Sequence, residues 1–87
     1  MLFLIASAPD TQQFKTAFRM AKDINADICL VQNAVYASRL LNDSSLYVLH
    51  DDINLRGIAD SEISGRLIDY GKLIDLMTES EKVAGIF

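Results

Sequence analysis

The 87-residue chain has one cysteine, one histidine, one proline and no tryptophan. A single cysteine rules out an internal disulfide framework. A single histidine leaves His50, Asp51 and Asp52 one ligand short of a metal site, because Cys29 lies in an apolar run. Basic clusters are missing too: Lys15, Arg19, Lys22, Arg39, Arg56, Arg66, Lys72 and Lys82 are dispersed, and the net charge is -4. With a pI near 4.6, no electrostatic footprint for nucleic acid is present. No apolar run reaches the roughly 18 residues of a membrane span. "MLFLIASAPD" has no basic n-region and is too short for a signal peptide, so a cytoplasmic location is expected. Dinucleotide fingerprints, P-loops, C-x-x-C pairs, nucleophile elbows, internal repeats and low-complexity segments are also absent.

What the chain does have is apolar residues. They make up 51% of the sequence, a high share for a domain this small, and that favours a homo-oligomer or a partner. Continuous apolar runs of strand length alternate with helical periodicity. Leu2–Ser7, Ile28–Gln32, Leu46–Leu49 and Arg66–Asp69 read as strands, and Lys82–Phe87 as a short final one. Between the first two, Asp10 and Gln13 have capping-box spacing, and Phe14, Ala17, Phe18, Ala21 and Ile24 recur at helical intervals. Asn33 is placed to cap a short helix, and Asp51 or Asp52 another that stops at Gly57. Asp69 is placed to cap a last helix with Leu73, Ile74, Leu76 and Met77 on one face. The order β-α-β-α-β-α-β-α-(β) predicts a single three-layer α/β/α domain over residues 1–87, with a mostly parallel sheet of four to five strands. Right-handed crossovers then gather the strand-to-helix loops on one sheet edge, where α/β proteins place their sites.

Within "LYVLHDDINLRGI", Leu46–Ile58, the cluster of His50, Asp51, Asp52 and Arg56 falls on that edge. A general base needs an orienting partner, and Asp51, adjacent in sequence, points to the other face in extended chain. Asp52 and Arg56 have the i, i+4 spacing of a helix ion pair. Cys29, inside "ICLV", lacks the exposure and positive neighbour that activate a thiol, so packing is its expected role. A phosphorelay receiver would place an acidic pair after the first strand, and a sugar-transport phosphocysteine domain a thiol. Here that strand ends in Ala6-Ser7.

Three segments in register carry a resemblance. "LVQNAVYAS" (Leu30–Ser38) resembles the L-x-Q-[DN]-G-V-Y-A turn of the DsrH/TusB proteins. "LYVLHDDINLRGI" resembles their Y-V-L-x-x-D-x-x-A-R-G, and "LIDYGKLIDLM" (Leu67–Met77) their I-D-Y-x-x-[FL]-[IV]-x-L. The resemblance implies the DsrE/DsrF/DsrH-like fold and a subunit of a complex that passes persulfide sulfur between cysteines. Such relays serve 2-thiolation of the wobble uridine of tRNA, or sulfur oxidation. It implies DsrE/TusD-like and DsrF/TusC-like partners, or self-association, with no cofactor and no direct nucleic-acid contact. The principal sulfur-carrying cysteine of the family belongs to the DsrE/TusD-type subunit. Some DsrH-type members add one in the first helix, where this chain has approximately Ala17. An accessory subunit that carries no sulfur is therefore expected, with a homo-oligomeric module binding a small anion at the strand ends as the alternative. Gln32, Tyr36, Asp52, Arg56, Gly57, Asp69 and Tyr70 match the family pattern and are the expected partner-facing or loop-ordering residues. His50 and Asp51 do not match. Further departures are Ala34 in place of glycine, Asn54-Leu55 in place of x-Ala, and Phe87 where many members have tryptophan.

Overall fold

The structure, a computed structural model, describes residues Met1–Phe87. Five strands, β1 (Leu2–Ile5), β2 (Asp27–Leu30), β3 (Tyr47–Leu49), β4 (Arg66–Ile68) and β5 (Val83–Ile86), form one sheet in the order β4-β3-β2-β1-β5. Every pairing is parallel. The helices are α1 (Gln12–Asp23), α2 (Ala37–Leu40), α3 (His50–Leu55) and α4 (Tyr70–Glu79), and a 3-10 turn over Gln32–Tyr36 leads into α2.

The placement of the helices follows from this order and from handedness. The first three crossovers step in one direction, so right-handed connections put α1, α2 and α3 on one face. The last crossover returns past β1 to the opposite edge and puts α4 on the other face. Two separate cores record this. Phe3, Ile5, Ile28, Leu30 and Val48 pack against Phe14, Ala17, Ala21, Val35 and Ile53 on the first face. Leu2, Ala6, Cys29, Val31, Leu49 and Ile68 pack against Leu73 and Leu76 on the second. No helix is long and apolar enough to cross a membrane.

Element ends differ from the sequence reading in several places. All strands but β3 end a residue or two before the expected carboxyl end, and β3 starts one residue late, at Tyr47. Thr11, not Asp10, caps α1: its hydroxyl accepts from Phe14 N (3.2 Å) and donates to Ala8 O (2.7 Å). Ile24 is the exposed C-cap of that helix rather than part of its buried face. Asn33 caps nothing and lies inside the 3-10 turn. Neither Asp51 nor Asp52 caps α3, which begins one residue earlier at His50. Asp69 does cap α4, accepting from Lys72 N at 2.8 Å. On α4 only Leu73 and Leu76 are buried, while Ile74 and Met77 are exposed. One helix over a five-stranded sheet touches it along a narrow stripe, so half of the expected apolar face stays in solvent.

The turn between α2 and β3 is ordered by Asp43, which accepts from the Ser45 backbone N–H (3.0 Å) and hydroxyl and pairs with Lys22. These contacts, Lys22 first, lower the Asp43 pKa from an ordinary 3.8 to about 2. The ionised form thus contributes stability that is complete above about pH 4 and is lost as pH falls towards 2. Lys22 is well exposed, so the contribution should stay under ~1 kcal/mol. Urea midpoints measured from pH 5 to pH 2 should fall less steeply for Asp43→Ala than for the native chain.

Candidate functional site

In an all-parallel sheet the strand carboxyl ends share one edge. Here that edge carries the Gln32–Asn33 turn after β2 and the start of α3 after β3. Gln32 has a left-handed backbone (φ 48°), which is uncommon for a residue with a side chain. Its backbone N–H donates to Asp52 Oδ2 at 2.6 Å. Asp52 is buried, 6% exposed, and its Oδ1 lies 3.7 Å from Arg56 Nη1, which also donates to the Asp52 carbonyl at 3.2 Å. Two further donors of Arg56 go to Asn33: Nε and Nη2 reach its side-chain oxygen at 3.2 and 3.1 Å. Gly57 follows with φ 68° and nothing within 4 Å of where a Cβ would stand, so its role is conformational: it ends α3.

The Asp52–Arg56 pair is therefore not on an exposed turn, as its i, i+4 spacing alone suggested. It joins two loops from different strands, with Asp52 holding the Gln32 N–H and Arg56 holding Asn33. The left-handed residue of the turn is Gln32, and Ala34, where the pattern has glycine, sits buried in the 3-10 turn. His50 has an orienting carboxylate after all, in Asp60 rather than Asp51: Nε2 lies 3.0 Å from Asp60 Oδ1, with both side chains solvated. Asn33 and Asp60 are the residues sequence reasoning missed. The residue type of Asn33 signals a cap, which is not its role, and Asp60 opens a short 3-10 turn (Asp60–Glu62) that no local pattern marks.

The other motif residues stand apart from this network. Tyr36 is half-buried under the guanidinium of Arg39, 5.7 Å from its ring centre. Tyr70 begins α4 with its ring half exposed. A cavity of about 480 Å³ opens elsewhere, between α1 and α2, against Pro9, Phe14, Phe18, Leu40 and Leu41. Cys29 is fully buried in β2, on the α4 side of the sheet. Burial, with a smaller contribution from the Asp52 charge, raises its thiol pKa from 9.0 to about 12. No group of His, Cys, Asp and Glu side chains has the arrangement of a metal site.

A family model described as DsrH like protein matches residues 6–83. The chain belongs to the DsrH-like family. The matched segment contains all three motif stretches, and membership implies a sulfur-relay-related protein. No curated protein matches the chain significantly. For a DsrH-like chain the observation that matters is chemical: its one thiol is sealed inside the sheet.

Proposed function

We propose that this chain is an accessory subunit of a cytoplasmic sulfur-relay complex, built with DsrE/TusD-like and DsrF/TusC-like partners, and that it does not itself carry the sulfur. Wobble-uridine 2-thiolation and intracellular sulfur oxidation are the pathways the family suggests. Persulfide transfer needs a thiolate that attacks the terminal sulfur of a donor persulfide; one S–S bond forms as another breaks, and the donor leaves as a thiolate. The observation that carries the proposal is Cys29: it is buried, its pKa is near 12, and no second cysteine exists. It offers neither access nor thiolate at neutral pH.

In this reading the strand-end network orders the loops that meet a partner, and Tyr36, Arg56 and Tyr70 lie near the contact surface. The anion-binding alternative has less support, because the Arg56 charge is already paired with Asp52 and three of its donors are taken by Asn33 and the Asp52 carbonyl. The test is reconstitution of sulfur transfer with DsrE-like and DsrF-like subunits. Transfer by the complex holding Cys29→Ala should be undiminished; loss of transfer from an intact complex would reject the accessory reading. Tyr70, half exposed and aromatic, is the expected anchor. Tyr70→Ala should weaken partner binding by about tenfold or more while leaving the melting temperature unchanged, as calorimetry and titration would register.

A further inference from the structure

The cleft between α1 and α2 holds about 480 Å³, within the range of small-molecule sites. One wall is the pair Phe14 and Phe18, stacked with ring centres 5.7 Å apart and planes 14° from parallel. Leu40 and Leu41 form the opposite wall, and Pro9 joins them from the loop after β1. Phe14 is buried and Phe18 half-buried. Leu40 is 74% exposed although it lines an apolar cleft. An apolar occupant would take that surface out of water.

The charge on this cleft is all of one sign. The net charge of the chain is -4, yet no acid lines the cleft; Lys15 and Arg19 do, both exposed and one helical turn apart. Like charges at i, i+4 destabilise a helix, and a cation in the first turn opposes the helix dipole. α1 has no acid in its first turn to offset them. Lys22, the next cation on this face, shows what the row accepts: it lies over the Phe18 ring at 5.5 Å and pairs with the carboxylate of Asp43. The ion pairs of the chain use Lys22, Arg39, His50 and Arg56, and leave Lys15 and Arg19 without a partner. Asp23, one turn beyond Arg19, takes part in none of them.

We propose that this cleft binds a small organic acid with an apolar body, its carboxylate held by Arg19 and Lys15 and its body seated against Phe14, Phe18, Leu40 and Leu41. A guanidinium offers the paired donors that fit a carboxylate, and the ammonium adds a second charge. The other end of the cleft does not suit an anion: the adjoining depression, reached across Pro9 and Leu40, has Asp10 on its border. Burial of the apolar body supplies the affinity, and the two exposed cations select the sign of the charge. The site uses no residue of the Asp52–Arg56 network and does not rest on the sulfur-relay reading.

Octanoate is the probe, titrated into the whole isotope-labelled chain and followed by amide NMR. Saturable shifts should appear at Phe14, Phe18, Leu40 and Leu41. Ile74 and Met77, exposed apolar residues of α4 on the other face of the sheet, should not move. Octylammonium, the same alkyl chain with the opposite charge, should bind more weakly by about fivefold or more, as expected for two exposed ion pairs. The double variant Lys15→Glu, Arg19→Glu should reverse that preference with its circular dichroism unchanged, because acids suit the first turns of a helix. Absence of saturable shifts at millimolar octanoate overturns the proposal. So do equal shifts at Ile74 and Met77, or equal binding of the two probes by the native chain. Protection of the cleft by DsrE-like or DsrF-like subunits, with octanoate unable to bind the free chain, would assign it to a protein interface instead. Where the double variant fails to fold, the choice of the native chain between octanoate and octylammonium still decides.

Discussion

Cys29 in the folded chain should react with iodoacetamide orders of magnitude more slowly at neutral pH than the same residue in urea. Burial raises its pKa from 9.0 to about 12, so almost none of it is thiolate at neutral pH. Burial slows it further, because the sulfur is fully enclosed between Leu2, Val31, Leu49 and α4. Any native-state labelling should then proceed by opening of the fold and track global stability as urea is added. Fast native labelling, insensitive to urea, would mean the β2 interior is open to solvent on the labelling timescale.

Asp52→Ala should be the most damaging single change on the strand-end edge. It leaves the Gln32 N–H without its acceptor in a left-handed turn and leaves Arg56 without its carboxylate. A hydrogen bond to a charged group contributes roughly 1.5–3 kcal/mol, and loss of the carboxylate partner of the largely buried Arg56 adds to it. A total near ~3 kcal/mol should lower the melting temperature of a domain this size by more than 10 °C or so. Arg56→Ala should cost less, ~1–2 kcal/mol, because Asp52 keeps the Gln32 N–H. His50→Ala is the control: its pair with Asp60 is solvated at both ends, so the cost should be a few tenths of a kcal/mol. Thermal unfolding of the three variants ranks them directly. An Asp52→Ala protein as stable as the parent would mean that the loop network stores no folding energy.

These effects mark the boundary of what the sequence made legible. Each strand and each of the four helices was visible as an apolar run or a helical period, because burial on both faces of a parallel sheet leaves a local trace. Strand order was not visible. A run such as Val83–Ile86 announces burial but does not say that its neighbour is β1, 81 positions away in register (Leu2↔Val83). Two oxygen-bearing residues adjoin at the start of α1, Asp10 and Thr11, and the second is the cap; α3 has no side-chain cap, so neither Asp51 nor Asp52 fills that role. The backbone angle at which the chain turns helical decides among them, and no residue type reports that angle by itself. Asp52–Gln32 and Asn33–Arg56 are separated by 20 and 23 positions, so their pairing appears only once β2 and β3 lie side by side. The exposed half of α4 was hidden for a related reason: the periodicity of Leu73, Ile74, Leu76 and Met77 records an apolar stripe but not the width of the surface that covers it.

Those same long-range contacts change the meaning of the segment His50–Gly57. Local spacing allowed a surface ion pair beside a candidate base. In the fold, Asp52 faces inward to hold the turn after β2, Arg56 closes the network with Asn33, and His50 faces outward to Asp60. The chemistry a sulfur carrier needs, an accessible and ionisable thiol, lies nowhere on this edge.

The central claim, that this DsrH-like chain serves a sulfur relay without carrying sulfur, is tested most directly by offering it sulfur. The native chain is incubated with a cysteine desulfurase and cysteine, and intact mass spectrometry looks for an added sulfur atom. The account predicts an unmodified chain, with a persulfide on Cys29 appearing only after unfolding. A stoichiometric persulfide on the native chain, abolished by Cys29→Ala, would contradict it.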